Sequence, residues 1–191
     1  MTKLPRIGVI LGSLQAHGIT RKIAHAMQSI LSDRLALEIV EIGDLPLYNP
    51  ERDGAGNPEW ETFRQTVAPL DGILFLTPEY NRSIPAALKN AIDVGSRPYG
   101  MSIWPKKPAA VISQSPGMLG GFGANHHLRQ CLVSLDMPVM SQPETYLGHS
   151  AMLFDDAGLL IEGQGKAILE TFAHAFAAWV IQHQFHEPTR A

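Results

Sequence analysis

Five short apolar runs alternate with stretches of helical period along this chain, and no other feature limits its fold as much. The runs are RIGVILGS (Arg6 to Ser13), ALEIVEI (Ala36 to Ile42), GILFLT (Gly72 to Thr77), AAVISQS (Ala109 to Ser115) and a weaker PVMSQPE (Pro138 to Glu144). Continuous runs of this kind suit parallel strands covered on both faces. Between them lie segments of helical period, Thr20 to Ser32, Glu59 to Ala68, Ala86 to Gly95, Asn125 to Leu135 and a last one from Gly165 to His183. Alternating strands and helices with right-handed crossovers predict an α/β sandwich around a five-stranded parallel sheet of order 2-1-3-4-5.

Composition narrows the partners. With 191 residues, 45% hydrophobic and 17% charged, the chain reads as one domain over 1–191 with a full core. A net charge of -3 and the lack of a Lys/Arg-rich run argue against nucleic acid and anionic membrane. The partner is expected to be a small molecule or a protein. The start MTKLPRIGVILGS has too short an apolar run for a signal segment, and no window approaches a membrane span. Cys131 is the single cysteine, which rules out an internal disulfide and fits a reducing, cytoplasmic setting.

In an open parallel sheet, ligands bind beyond the carboxyl ends of the strands where the strand order reverses. The loops there should be GSLQAHGITRK after strand one, TPEYNRSIP after strand three and SPGMLGGFGANHH after strand four. In the first, Gly12, Ser13, Gly18 and Thr20 precede a helix whose free amides and dipole suit a phosphate, although a plain tight turn would use the same residues. It carries neither a Walker loop nor GxGxxG. In the second, Pro78 fixes one torsion and removes a donor, while Glu79, Tyr80 and Asn81 are expected to turn successive amides outward to a flat ring. In the third, Gly117, Gly120 and Gly121 would let a ring stack close to backbone, or simply make a flexible turn.

The segment PEYNRSIPAALKNAIDVGSRP (Pro78 to Pro98) closely resembles the PEYNxSxPxxLKNAIDWxSRP signature of the NADPH-dependent FMN reductase family, which includes quinone, azo-dye and chromate reductases. The third loop is similar to that family's S-x-G-x-x-G-G segment and GSLQAHGIT to its phosphate loop, so the likeness runs from about Ile7 to Gly148. The resemblance implies a flavodoxin-like three-layer fold binding FMN. Its phosphate would lie in the first loop (Ser13, Gln15, Gly18, Ile19, Thr20) and its ring between Pro78, Glu79, Tyr80 and Asn81 on one side and Ser115 and Gly117 on the other. It also implies NADPH or NADH as donor, small-molecule acceptors, and a homodimer or homotetramer.

The first loop departs from the family's G-S-x-R-x-x-S-x-N. Gln15 stands at the arginine position, Gly18 at the serine and Thr20 at the asparagine. Losing a charge-assisted contact to phosphate costs on the order of 1.5 to 3 kcal/mol. Arg21, with Lys22 as the weaker candidate, is expected to replace it, because cations in a first helical turn oppose the dipole unless an anion is bound there.

Other features point away from different chemistries. His126 and His127 are adjacent and His183 and His186 three apart, without four ligands at metal-binding spacing. Cys131 has apolar helical neighbours and reads as a buried structural thiol. No GxSxG elbow is present. LYNPERDGAGNPE (Leu47 to Glu59) is either a passive connector or a lid, and Phe172, Phe176, Trp179 and Val180 mark a core-facing stripe on the last helix. The implied mechanism is a two-step exchange in which hydride passes from nicotinamide C4 to flavin N5 and a quinone then takes the same place. No side-chain acid or base is obligatory, and Glu79 would be held by backbone or by Lys89. An FMN-binding electron carrier or flavin sensor without nicotinamide turnover is the alternative, and a member that has lost FMN a third.

Overall fold

The computed structural model of the protein describes residues 3–53 and 56–184. Its strands are β1 (Arg6–Leu11), β2 (Ala36–Val40), β3 (Gly72–Pro78), β4 (Ala109–Gln114) and β5 (Thr145–Leu147), and its helices α1 (Ile19–Ile30), α2 (Pro58–Val67), α3 (Ala86–Gly95), α4 (Phe122–Ser134) and α5 (Gln164–Gln184). All five strands are parallel in the order β2-β1-β3-β4-β5, as the alternation predicts.

The sheet separates two apolar layers. Val9, Leu11, Leu74, Leu76, Ala110 and Ile112 face α1 and α5, where Ile23, Met27, Phe172, Phe176 and Val180 are buried. Their neighbours along the strands, Ile10, Ile73, Phe75, Ala109 and Val111, face the opposite layer with Trp60, Phe63, Leu88, Leu128 and Trp104. This strict alternation inside unbroken apolar runs is how a parallel strand serves two cores. Trp60 and Trp104 are fully buried, and each indole N–H donates to a backbone carbonyl, of Pro46 and Ile92 respectively, at 2.9 Å.

One strand is displaced from its predicted place. The segment from Pro138 to Glu144 makes only an isolated bridge, Val139 with Ala109, whereas the ladder to β4 runs through Thr145–Leu147. Pro138 and Pro143 have no N–H to give a ladder, which pushes regular pairing beyond them. The stretch from Leu47 to Glu59 is a docked connector where it is described. Asn90 of α3 accepts from the Tyr48 amide at 2.8 Å and donates to the carbonyls of Leu45 and Pro46, and the Tyr48 hydroxyl donates to Asp53 at 2.7 Å. Asn57 then caps α2 by accepting from the Trp60 amide at 3.0 Å, with Pro58 in the first turn.

Candidate functional site

Strand order reverses between β1 and β3, so the loops leaving β1, β3 and β4 meet at one end of the sheet. The Gly12 amide donates to the Leu76 carbonyl at 2.8 Å, which sets the first loop directly beside the end of β3. From there the chain turns into α1 at Gly18, whose backbone is extended and which offers no side-chain cap. The first turn of α1 holds no acid. The amides of Ile19 and Thr20 have no protein acceptor among the described residues, and Ser13 and Thr20 are both buried. Ser13 Oγ and Thr20 Oγ1 each accept, from the Gln15 amide at 3.4 Å and from Gln114 Nε2 at 3.2 Å. Neither hydroxyl proton has a protein acceptor among the described residues. Two amides and two hydroxyls thus stand as donors without acceptors, which suits a phosphate.

The departures from the family pattern in this loop are linked. A Cβ at Gly18 would lie 2.9 Å from Gln15 Cβ and 3.0 Å from its Oε1, so the Gln15 side chain occupies the room a serine there would need. The cations do not stand free. Arg21 forms a two-pronged pair with Glu41, just past β2, Nη1 to Oε1 at 2.8 Å and Nη2 to Oε2 at 2.9 Å. That hydrogen bond holds its guanidinium above the ordinary value. Lys22 turns the other way, its stem beside Gly158 and its ammonium 5.7 Å from the centre of the Phe154 ring. Glu41 therefore offsets the Arg21 charge in that first turn.

In the second loop, Tyr80 and Ser83 exchange two backbone hydrogen bonds, 2.9 and 3.0 Å, around Asn81 (φ 50°) and Arg82 (φ 68°). Two left-handed residues between paired neighbours define a type I′ turn, which asparagine tolerates better than most residues. The Tyr80 amide is consumed inside this turn, so the three outward amides expected of Glu79, Tyr80 and Asn81 become at most two. The Tyr80 ring is exposed. Pro78 closes β3 and pairs with Gln114 in the sheet. The Glu79 side chain is turned inward and only 13% exposed; it accepts from the Ala124 amide at 3.1 Å and from Arg82 at 3.3 Å. Lys89 does not hold it, being paired to Asp93 one turn along α3 at 2.6 and 2.8 Å.

In the third loop, the glycines divide into two kinds. Gly120 (φ 60°) and Gly121 (φ 76°) are left-handed, and a Cβ on them would lie 2.5 Å from the Tyr146 backbone and 3.0 Å from Ser113 Cβ. Their own fold requires glycine at both positions. Gly117 differs, since a Cβ there meets nothing nearer than Ser115 Oγ at 3.9 Å, so it borders open space. Ser115 is fixed by its amide to the Leu147 carbonyl at 3.1 Å, by its carbonyl from the Ser150 amide at 3.1 Å and by its hydroxyl to the Gly117 carbonyl at 3.0 Å. Beside this loop Phe122, His126 and Tyr146 cluster, with His126 Nε2 and the Tyr146 hydroxyl 2.9 Å apart. Burial first, then Glu144, pushes the Tyr146 phenol up to about 12, so it stays protonated at neutral pH.

Two clefts lie elsewhere. One of about 370 Å³ runs between β2 and α2 past Glu41, Asp44 and Thr62, and one of about 970 Å³ opens at the opposite end of the sheet near Asp71, Lys106 and Met137. Cys131 is half-buried rather than buried, and burial raises its thiol, which favours the protonated form. His186 lies outside the described residues. No helix among the described residues is long and apolar enough to cross a membrane. Glu41, Gln114 and Ser150 escaped sequence reasoning. Only Gln114 left a signal there, the last residue of a strand that is apolar from Ala109 to Ile112.

A family model described as NADPH-dependent FMN reductase matches residues 5–151. A quinone reductase of Pseudomonas putida is 52% identical over 181 residues, covering 94% of this chain and 97% of that one. A 2-hydroxy-1,4-benzoquinone reductase of Burkholderia is 40% identical, covering 92% and 96%. Among solved structures, the flavoenzyme NAD(P)H:(acceptor) oxidoreductase of Paracoccus denitrificans superposes with a TM-score of 0.89 at 34% identity, covering 94% of this chain and 99% of that one.

Proposed function

The chain belongs to the NADPH-dependent FMN reductase family, and on that premise we propose that it carries two electrons from NADPH or NADH to quinones or similar acceptors in a ping-pong cycle. It is an oxidoreductase of the flavodoxin-like fold that works with FMN and a reduced nicotinamide. FMN when bound supplies the redox chemistry, accepting hydride from the nicotinamide and giving two electrons to the acceptor.

The observation that carries this reading is the donor-only cradle at the end of β1, two acceptor-less amides and two buried hydroxyls, set beside the open face at Gly117. A phosphate fits the first and a flat ring the second. Ser13, Thr20 and the amides of Ile19 and Thr20 would hold the phosphate, with Gln15 and Gly18 shaping the loop around it. Pro78, Glu79, Tyr80 and Asn81 on one side and Ser115 and Gly117 on the other would border the ring. Arg21 would act on the phosphate through space, as its guanidinium is engaged by Glu41. Quinones are the favoured acceptors because the quinone reductase relative shares half its residues over nearly the whole chain. Free flavin, azo dyes and chromate would be further ones.

A single open face serves donor and acceptor only in succession, which is the basis for ping-pong order. A homodimer or homotetramer is supported by the exposed apolar side chains of Met118, Leu119, Phe122 and Met152 around the third loop. A cytoplasmic setting suits the single cysteine. Initial rates of NADPH oxidation by the FMN-loaded protein, with benzoquinone varied at several donor concentrations, test the proposal. Parallel double-reciprocal lines are expected. Intersecting lines would overturn the order, and no donor oxidation would overturn the activity.

A further inference from the structure

The side chain of Gln114 joins three of the segments that meet at the switch point. Its residue closes β4, paired in the sheet with Pro78 on one side and Leu147 on the other. Its amide nitrogen donates to Thr20 Oγ1 at 3.2 Å, and its amide oxygen accepts from Ser150 Oγ at 2.6 Å. Thr20 and Ser150 are each 1% exposed and Gln114 is 8% exposed. The network is therefore buried, and its directions matter.

A hydroxyl that accepts a hydrogen bond from an amide N–H must place its own proton elsewhere. Thr20 accepts from Gln114, and no protein acceptor is recorded for the Thr20 proton among the described residues. Thr20 also sits in the first turn of α1, where its own amide and that of Ile19 lack acceptors. Ser150 holds the far end of the amide by donating to its oxygen, which leaves the nitrogen facing Thr20.

We infer that Gln114 is a positioning residue which forces the Thr20 hydroxyl to act as a donor to the flavin phosphate, so that the site prefers FMN over unphosphorylated riboflavin. This rests on the FMN reading above and supplies its specificity. It also explains how the phosphate loop works without the family's arginine: a buried neutral donor aimed from behind takes part of that role. Gln114 acts through the Thr20 hydroxyl.

Binding of FMN and of riboflavin, followed by flavin fluorescence on parent, Gln114→Glu, Gln114→Met and Thr20→Val, tests the inference, with circular dichroism to establish the fold. A carboxylate can only accept, so in Gln114→Glu the Thr20 proton turns inward and the added charge opposes the phosphate. Gln114→Met removes the direction without adding charge and carries the test should the glutamate variant fail to fold. Gln114→Glu and Thr20→Val are each expected to raise the FMN dissociation constant tenfold or more, as the loss of one hydrogen bond to a charged group would, and Gln114→Met, which leaves the hydroxyl its proton but no longer directs it, by a smaller factor of about threefold. Riboflavin affinity should stay within about twofold. In the Thr20→Val background, Gln114→Met should add little, because both act through one hydroxyl. An FMN-to-riboflavin preference unchanged in Gln114→Met, or single effects that add fully in the double variant, would overturn the inference. Failure of the parent to bind FMN at all would instead overturn the proposed function.

Discussion

Glu79 and Ala124 tie the second loop to the third: the Glu79 carboxylate accepts the Ala124 backbone N–H at 3.1 Å. Helix α4 begins at Gly121, which has no side-chain cap, and has no acid in its first turn. A carboxylate from another loop therefore serves as its cap and meets the positive end of its dipole. Gly123 leaves the room, since a Cβ there would lie 3.0 Å from Glu79 Oε2. The two loops that border the proposed ring position are thus joined by this hydrogen bond.

Removing this tether should be felt first as stability. Glu79→Ala is expected to cost about 1 kcal/mol, the usual worth of a helix cap, and to lower the melting temperature by about 2–4 °C. Differential scanning calorimetry of the flavin-free protein measures it. An unchanged melting temperature would show that the bond carries no weight in solution.

The pair between Arg21 and Glu41 sets a second prediction. Arg21→Ala leaves Glu41 as an unpaired negative charge beside the phosphate loop and should weaken FMN, more at low salt than at high. Adding Glu41→Gln should recover most of the loss. If Arg21 instead reached the phosphate directly, the double variant would stay as weak as Arg21→Ala alone. Equilibrium dialysis with FMN at two ionic strengths separates the cases.

At the turn, Asn81→Gly should preserve FMN binding and stability, because glycine adopts the φ of 50° without the steric cost of a side chain. Asn81→Pro cannot take that torsion and should break the turn itself, so its loss of flavin would not report on one amide. Tyr80→Ala is the cleaner probe. With an exposed ring and an amide engaged by Ser83, it should shift FMN affinity by less than the tenfold expected at Gln114. A larger shift by fluorescence titration would mean that the Tyr80 ring itself stacks on the cofactor.

What was legible in the sequence follows from which physics is local. The apolar runs around Val9, Leu74 and Ala110 could only be doubly covered strands, so sheet order and switch point came with them. The fifth strand slipped because a short edge strand carries little apolar signal, and Pro138 and Pro143 had to be weighed against it. In the site, motif spacing found the loops but not the partners within them. The Arg21–Glu41 pair spans 20 positions, and the Gln114–Thr20 bond spans 94. Only the packed sheet brings such residues together. The packing need for Gly120 was hidden for the same reason, because its tight neighbour Tyr146 lies on β5.

The central claim is that the three loops hold FMN, and titration of FMN into the flavin-free protein tests it most directly. The account predicts saturable quenching of flavin fluorescence together with a rise in melting temperature that grows with flavin concentration, by about 2.7 kcal/mol of stabilisation at a hundred times the dissociation constant. Neither quenching nor a thermal shift at high micromolar FMN would contradict it.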